Sequence, residues 1–223
     1  MDLEPIWLSL RLAAITTILL LFIGVPIAYW LSRKQTVLKL IAEALITMPL
    51  VLPPSVLGFY LLLAFSPSNA FGEWLQAHLD LQLVFSFHGL IIASIIYSLP
   101  FMVSPIKAAF SHLPKSMAEA SYIMGKSKTQ TFFKVLLPNI KASIFTAMVL
   151  AFAHTLGEFG VVLMIGGNIP GETKVASIAI YDAVETMDYA SANAYALILF
   201  AITFIIVVGV FIINRNAIKS PFE

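Results

Sequence analysis

Residues 119–138 read EASYIMGKSKTQTFFKVLLP. With Ala120 accepted in place of a first glycine, Ala120 to Ser127 fits a loosened phosphate-loop pattern ending in Gly125-Lys126-Ser127. A phosphate loop works because glycine-rich backbone turns tightly between a buried strand and a helix and aims several N–H groups at phosphate. Here the intervening residues, SYIM, include bulky and β-branched side chains and no glycine, and the preceding HLPKSMAE is polar and helix-forming. The stretch is better explained as two short helices with a glycine joint. Met117, Ala120 or Ser121, and Met124 share one helical face, and Phe132, Phe133 and Leu136 share the next. Gly125 supplies the positive φ that ends the first helix, and Pro138 falls near the start of the following apolar run, where its missing N–H is tolerated. A helix with small and methionine side chains on one face and basic residues around it suits docking into another protein's groove; the alternative is a solvated interfacial linker.

The surroundings of this loop are apolar. The chain has 223 residues, 60% hydrophobic and 11% charged, against about 45–50% and about 25% in soluble domains. It reads as an all-α integral membrane protein with about five transmembrane helices. The runs long enough to cross about 30 Å of hydrocarbon are 12–32, 44–65, 83–106, 142–166 and 193–214. Pro26, Pro49, Pro53, Pro54, Pro100 and Pro105 kink or interrupt them, and LVLPPS in the second run cannot be regular helix throughout. A net charge of +1 leaves no footprint for nucleic acid, and the absence of cysteine excludes disulfides and thiolate sites. The acidic start, MDLEP, lacks the positive beginning of a secretory signal, so the first run is expected to be a permanent span.

Loop charges predict orientation. Eleven of the 13 basic residues fall on one side: Arg33, Lys34 and Lys39 after the first run, Lys107, Lys115, Lys126, Lys128, Lys134 and Lys141 around the long loop, and Arg215 and Lys219 after the fifth run. The other side carries Asp2, Glu4, Glu73, Asp80, Glu172, Asp182, Glu185 and Asp188, with Lys174 the clear base. The expectation is an outside N-terminus, a cytoplasmic C-terminus and a single transmembrane domain over 1–223, with a cytoplasmic loop at about 111–138. Residues 69–80 predict a short surface helix or an ordinary loop. Residues 172–190 place Val175, Ile178, Tyr181 or Ala179, and Val184 at helical spacing, predicting an outer helix that dips toward the pathway.

The loop resembles the signature of ATP-binding-cassette importer permeases of type I: Glu-Ala-Ala, three residues, Gly, nine residues, Ile, one residue, Leu-Pro. Glu119, Ala120, Gly125, Leu137 and Pro138 match it, while Ser121 stands for the second Ala and Val135 for the Ile. The resemblance implies that these seven residues form coupling helices seated in a cleft of a separate ATPase subunit. ITMPLVLPPSVLGFYLLL (46–63), VLAFAHTLGEFG (149–160) and GGNIPGETK (166–174) are similar to the corresponding stretches of molybdate importer permeases, with tungstate and sulfate permeases alike there. That likeness implies a membrane subunit of an ATP-driven oxyanion importer in a bacterial or archaeal cell (inner) membrane, working by alternating access. Its implied partners are a second copy of the permease, two ATPase subunits and a periplasmic or extracellular oxyanion-binding protein. It implies no cofactor on this chain and no catalysis by it, with ATP and Mg on the partner ATPase.

His154 and Glu158 lie four residues apart in the fourth run, hence on one face of a continuous helix. Charge near mid-membrane costs about 2.5–3.5 kcal/mol on insertion scales, so both should face the bundle as pathway or gate residues. An anionic Glu158 would repel a dianionic oxyanion; a structural or gating hydrogen bond is therefore expected, with the carboxyl protonated if desolvated. His88 in the third run is expected to make a satisfied polar contact. With no Lys or Arg deep in any run, tight selection of an anion must reside outside this chain. A proton-coupled secondary carrier using His154 and Glu158 is the rival reading, but no convincing inverted repeat supports it. An intramembrane hydrolase lacks a nucleophile with a plausible base and a His-Glu-x-x-His metal pattern.

Overall fold

A computed structural model describes residues 2–218, all of whose regular structure is helical. Lys219 and the rest of the tail, 219–223, lie outside the described residues. Among the described residues three helices are long and apolar enough to cross a membrane, or up to five spans by length and composition if each of two bent pairs, Val37–Leu50 with Pro54–Phe65 and Lys128–Asn139 with Lys141–Leu156, is one span.

The first helix, α1 (Glu4–Ser32), begins eight residues before the expected span, with Pro5 in its first turn. Its 29 residues rise about 43 Å, more than a bilayer core requires. The second crossing is not one helix. α2 (Val37–Thr47), capped by the Thr36 hydroxyl, runs into a 3₁₀ turn at Met48–Leu50, and α3 (Pro54–Phe65) leaves it at 111°. The cause is Pro53-Pro54: neither residue has an N–H, and Pro54 disfavours helical backbone at the residue before it. α4 (Ala70–Leu79) decides the 69–80 segment in favour of a short helix over an ordinary loop. α5 (Phe87–His112), capped by Ser86, is the third crossing and passes through Pro100 and Pro105. His88, the second residue of α5, is exposed and makes no polar contact among the described residues, where a satisfied one was expected.

α6 (Lys115–Ile123), α7 (Lys128–Thr131), a π-helical turn (Phe132–Leu136) and α8 (Leu137–Asn139) form the basic loop. α9 (Lys141–Leu156) stops inside the fourth apolar run, and α10 (Gly160–Gly166) completes it. α11 (Ala176–Glu185) fills the segment expected to be helical, with Val175, Ile178 and Ala179 buried and Tyr181 and Val184 exposed. α12 (Tyr189–Ile218) is the last crossing; its face bearing Leu197, Phe200, Phe204 and Ile205 is exposed.

The bundle is built on α1 packed along α5, with α9 against both. Close approach of the first pair depends on Gly24, where an added Cβ would stand 2.6 Å from Met102 Cγ. One apolar cluster joins Leu12, Leu90, Val161, Ile165 and Ile178 at one end of the bundle, and a second joins Leu20, Ala28, Met102, Ile106 and Ala147 toward the basic loop. α11 is tied to α1 where the Ala176 N–H donates to Ser9 Oγ (2.8 Å), and α12 to the residues before α1, where the Tyr195 hydroxyl donates to the Asp2 carbonyl (2.8 Å). Lys107 on α5 pairs with Glu43 on α2.

Candidate functional site

The basic loop is locked by its own backbone. The N–H of Gly125 donates to the Tyr122 carbonyl (2.9 Å) and that of Lys126 to the Ser121 carbonyl (3.1 Å), the pattern that closes a helix through a left-handed residue. Gly125 has φ +77°, and no atom lies within 4 Å of where its Cβ would be. Ser127 then caps α7 reciprocally with Gln130. A 2.9 Å hydrogen bond between Ser121 Oγ and Thr131 Oγ1, both buried, holds the two short helices together. Ser121 therefore faces inward, and the shared face expected for Met117, Ala120 or Ser121, and Met124 is split. Met117 is half-buried and Met124 is exposed. What the loop presents outward is its tip, Ile123 (86% exposed) and Met124 (67%), followed by Phe133. Glu119, Ala120, Gly125 and Pro138 are also exposed, whereas Val135 and Leu137 are half-buried.

The second candidate lies between the two helix breaks. α9 ends at Leu156, so His154 and Glu158 do not share a helical face as expected; Glu158 sits in the 157–159 break. His154 Nδ1 is hydrogen-bonded to Ser98 Oγ on α5 (2.9 Å), and Ser98 also bonds Thr155 Oγ1 (2.9 Å). The imidazole stacks on Phe101 at 4.0 Å between ring centres and meets Tyr97 at 4.7 Å. Glu158 is 4% exposed, and among the described residues neither carboxyl oxygen has a hydrogen-bond partner. The Ser94 hydroxyl approaches it without the geometry of a hydrogen bond. The expected structural hydrogen bond is thus absent; it is the Glu158 carbonyl that is held, by Ser177 Oγ (2.6 Å). Pro54, Ser55, Tyr97, Ala153, His154, Gly157 and Glu158 line a cleft of about 630 Å³. The breaks touch there, since a Cβ on Gly160 would stand 2.8 Å from Pro54 Cβ.

Ser55, Ser94, Tyr97 and Ser98 escape a reading that searches spans for charge. Ser94 and Ser98, four apart in an otherwise apolar run with Tyr97 beside them, are the signal that was present. Away from the cleft, Lys174 pairs with Asp182 and holds its carboxyl below the usual carboxylate range, with Asn168 donating as well.

The family of inner-membrane components of binding-protein-dependent transport systems matches residues 12–219. The chain belongs to that family. It is a membrane-spanning transport subunit, and the exposed loop and the cleft are to be read as parts of one. Among its relatives, the molybdenum transport system permease protein ModB of Azotobacter vinelandii is 47% identical over 192 residues, spanning 86% of this chain and 85% of that protein. The sulfate transport system permease protein CysT of Escherichia coli (strain K12) is 31% identical over 89% of this chain and 70% of its own length. A chain of the MetNI methionine ABC transporter, solved in inward facing conformations, superposes with a TM-score of 0.74 over 97% of this chain and 96% of that one at 17% identity, a likeness of fold.

Proposed function

We propose that the chain is the membrane-spanning subunit of an ATP-driven molybdate importer. The observation that carries the mechanism is the rigid joint at Gly125, which holds Ile123 and Met124 out of the bundle on a loop fixed by backbone and hydroxyl bonds. An exposed apolar tip on a basic loop is suited to seating in a cleft of a separate ATPase subunit. The substrate follows from the greater likeness to a molybdenum permease, 47% against 31% for a sulfate permease. In this reading residues 1–223 form one domain with its coupling loop at about 111–138 in the cytoplasm, the N-terminus outside and the C-terminus inside. Two copies enclose the pathway, two ATPase subunits hold ATP and Mg, and an extracytoplasmic binding protein delivers the anion. ATP closure draws the paired loops together, and the spans rock from inward-open to outward-open. The cleft at the helix breaks, with His154 and Glu158, then lies on the pathway or its gate.

Vesicles carrying the permease with its ATPase and binding protein test the substrate. Labelled molybdate uptake should be blocked by tungstate and resist equal sulfate. Sulfate uptake that molybdate fails to block would assign the sulfate reading instead.

A further inference from the structure

α4 has three distinct sides. Gly72 and Leu75 are buried, and Gly72 lies so close to the end of α3 that an added Cβ would stand 2.1 Å from the Ser66 carbonyl oxygen. Glu73 and Gln76 point away from that side and are exposed. On the third side Phe71, Trp74 and His78, at helical spacing, form an exposed stack of rings. The first two rings are 6.4 Å apart and within 12° of parallel, the next two 5.3 Å apart and within 24°. His78 Nδ1 is hydrogen-bonded to the Trp74 carbonyl (3.1 Å), which holds its ring in the stack, and the Trp74 indole N–H has no partner among the described residues. The level of this stripe is marked by α1. Its exposed Trp7 and Trp30 stand about 35 Å apart, close to the thickness of a bilayer's hydrocarbon core, and the side chains exposed along the middle, Ile18, Leu19, Phe22 and Ile23, are apolar. Leu8 beside Trp7 and Leu75 beside Trp74 belong to one buried cluster, so the stripe lies at the Trp7 end.

We infer that α4 is a lipid-docking helix: its stripe of Phe71, Trp74 and His78 enters the acyl–headgroup boundary of the leaflet on the N-terminal side and anchors the corner between α3 and α4. Indole and imidazole rings suit that boundary, because the ring body sits among acyl chains while an N–H reaches headgroups and water. Glu73 and Gln76 then face water, as the polar side of an interfacial helix must. The bilayer is also the partner that meets Trp7 and Trp74 at one depth from two separate helices. The anchor matters to the fold because α3, with 12 residues, is about 18 Å long and falls short of the hydrocarbon core. Its start packs on α10 through Pro54 and Gly160, and its end is fixed to α4 at Gly72 and by the Asn69 amide, which donates to the Leu63 carbonyl. A stripe held at the interface therefore sets the depth of α3 and of the helix break at its start. The inference uses the membrane-spanning assignment and is independent of what is transported.

The chain has no cysteine, so single cysteines at Phe71, His78, Glu73 and Gln76 can be spin-labelled on the purified permease, which is then reassembled with unlabelled ATPase subunits in lipid nanodiscs. Collisional relaxation by oxygen, which concentrates in lipid, and by a water-soluble nickel chelate reports what each label faces. Labels at Phe71 and His78 should respond more to oxygen, and those at Glu73 and Gln76 more to nickel. A nickel response that dominates at all four positions would put the stripe in water, and Phe71 and His78 labels closed to both reagents would show it covered by protein, a second copy included; either result overturns the inference. So would an oxygen response at Phe71 and His78 that disappears when the binding protein is added, since the stripe would then be a protein-docking surface. For the anchoring role, Trp74→Phe should keep ATP-driven uptake within about twofold, while Phe71→Ser with Trp74→Ser should slow it about fivefold; unaltered uptake in the serine pair would show that the corner holds without lipid. The label responses need no transport, so they stand whether or not the importer reading does, and they decide the question if the serine pair fails to assemble.

Discussion

Gly125 is the residue on which the loop turns. Its φ of +77° is open to glycine and costs an L-residue about 1–2 kcal/mol, more with a branched Cβ. Space is not the constraint, since nothing lies near the missing Cβ. Gly125→Val should therefore leave the bundle folded yet disturb the joint, lowering ATP-driven uptake at least about fivefold while the chain still inserts. Normal uptake with normal ATPase co-purification would show that the joint does not transmit force. Ser98 is the corresponding residue inside the bundle, joining His154 and Thr155 across two helices. Ser98→Ala leaves both without their partner and should lower stability by about 1–3 kcal/mol, read as a fall in melting temperature of the purified chain. In the double variant with His154→Leu the two losses should be clearly less than additive; additivity would mean that the hydrogen bond is not what couples them.

At the scale of elements, the sequence foretold what strong local signals enforce. The joint between α6 and α7 and the break before α3 were legible because a glycine and a double proline act within a few residues, whereas the pattern at 69–80 left helix and loop open. The break between α9 and α10 was not, because Gly157 and Gly160 inside an apolar run are compatible with continuous transmembrane helix; the contacts of Gly160 with Pro54 and of Ser177 with the Glu158 carbonyl come from residues distant in sequence. The idle carboxyl of Glu158 depended on that break and was equally hidden. α3 and α10 approach through a glycine on each. A Cβ on Gly58 would meet Met164 Cβ at 2.8 Å and the Val161 backbone at 3.1 Å. Gly58→Leu should therefore force the pair apart at a cost of about 1–3 kcal/mol, and a melt unchanged from the parent would refute that packing. At the loop, Ile123→Asp with Met124→Asp should abolish ATPase co-purification without altering the melt of the permease alone. Retained co-purification would move the docking surface elsewhere.

For the whole molecule, composition and length predicted five spans, and the described residues hold three spanning helices, or up to five spans if each bent pair is one; hydropathy reports length of apolar chain and leaves the 111° bend to the prolines. The sidedness rests on the partition of basic residues and is open to direct test, because the chain has no cysteine of its own. Single cysteines at Glu4 and Glu73 should react with an impermeant reagent in sealed cells, and those at Lys34 and Lys128 should not; all four positions are exposed. Lys39 is a poor reporter, being buried with its ammonium against the Trp30 carbonyl, and Lys219 lies outside the described residues. Labelling at Lys128 from outside would invert the topology and remove the loop from the ATPase.

The central claim, that this chain moves an oxyanion only when an ATPase works through the loop, is tested most directly by uptake of labelled molybdate into proteoliposomes holding the permease, its ATPase and its binding protein. Uptake should require hydrolysable ATP, persist when the proton gradient is collapsed, and vanish in the Ile123→Asp, Met124→Asp variant. Uptake that follows an imposed pH gradient without ATP, and that survives the loop substitutions, would contradict it.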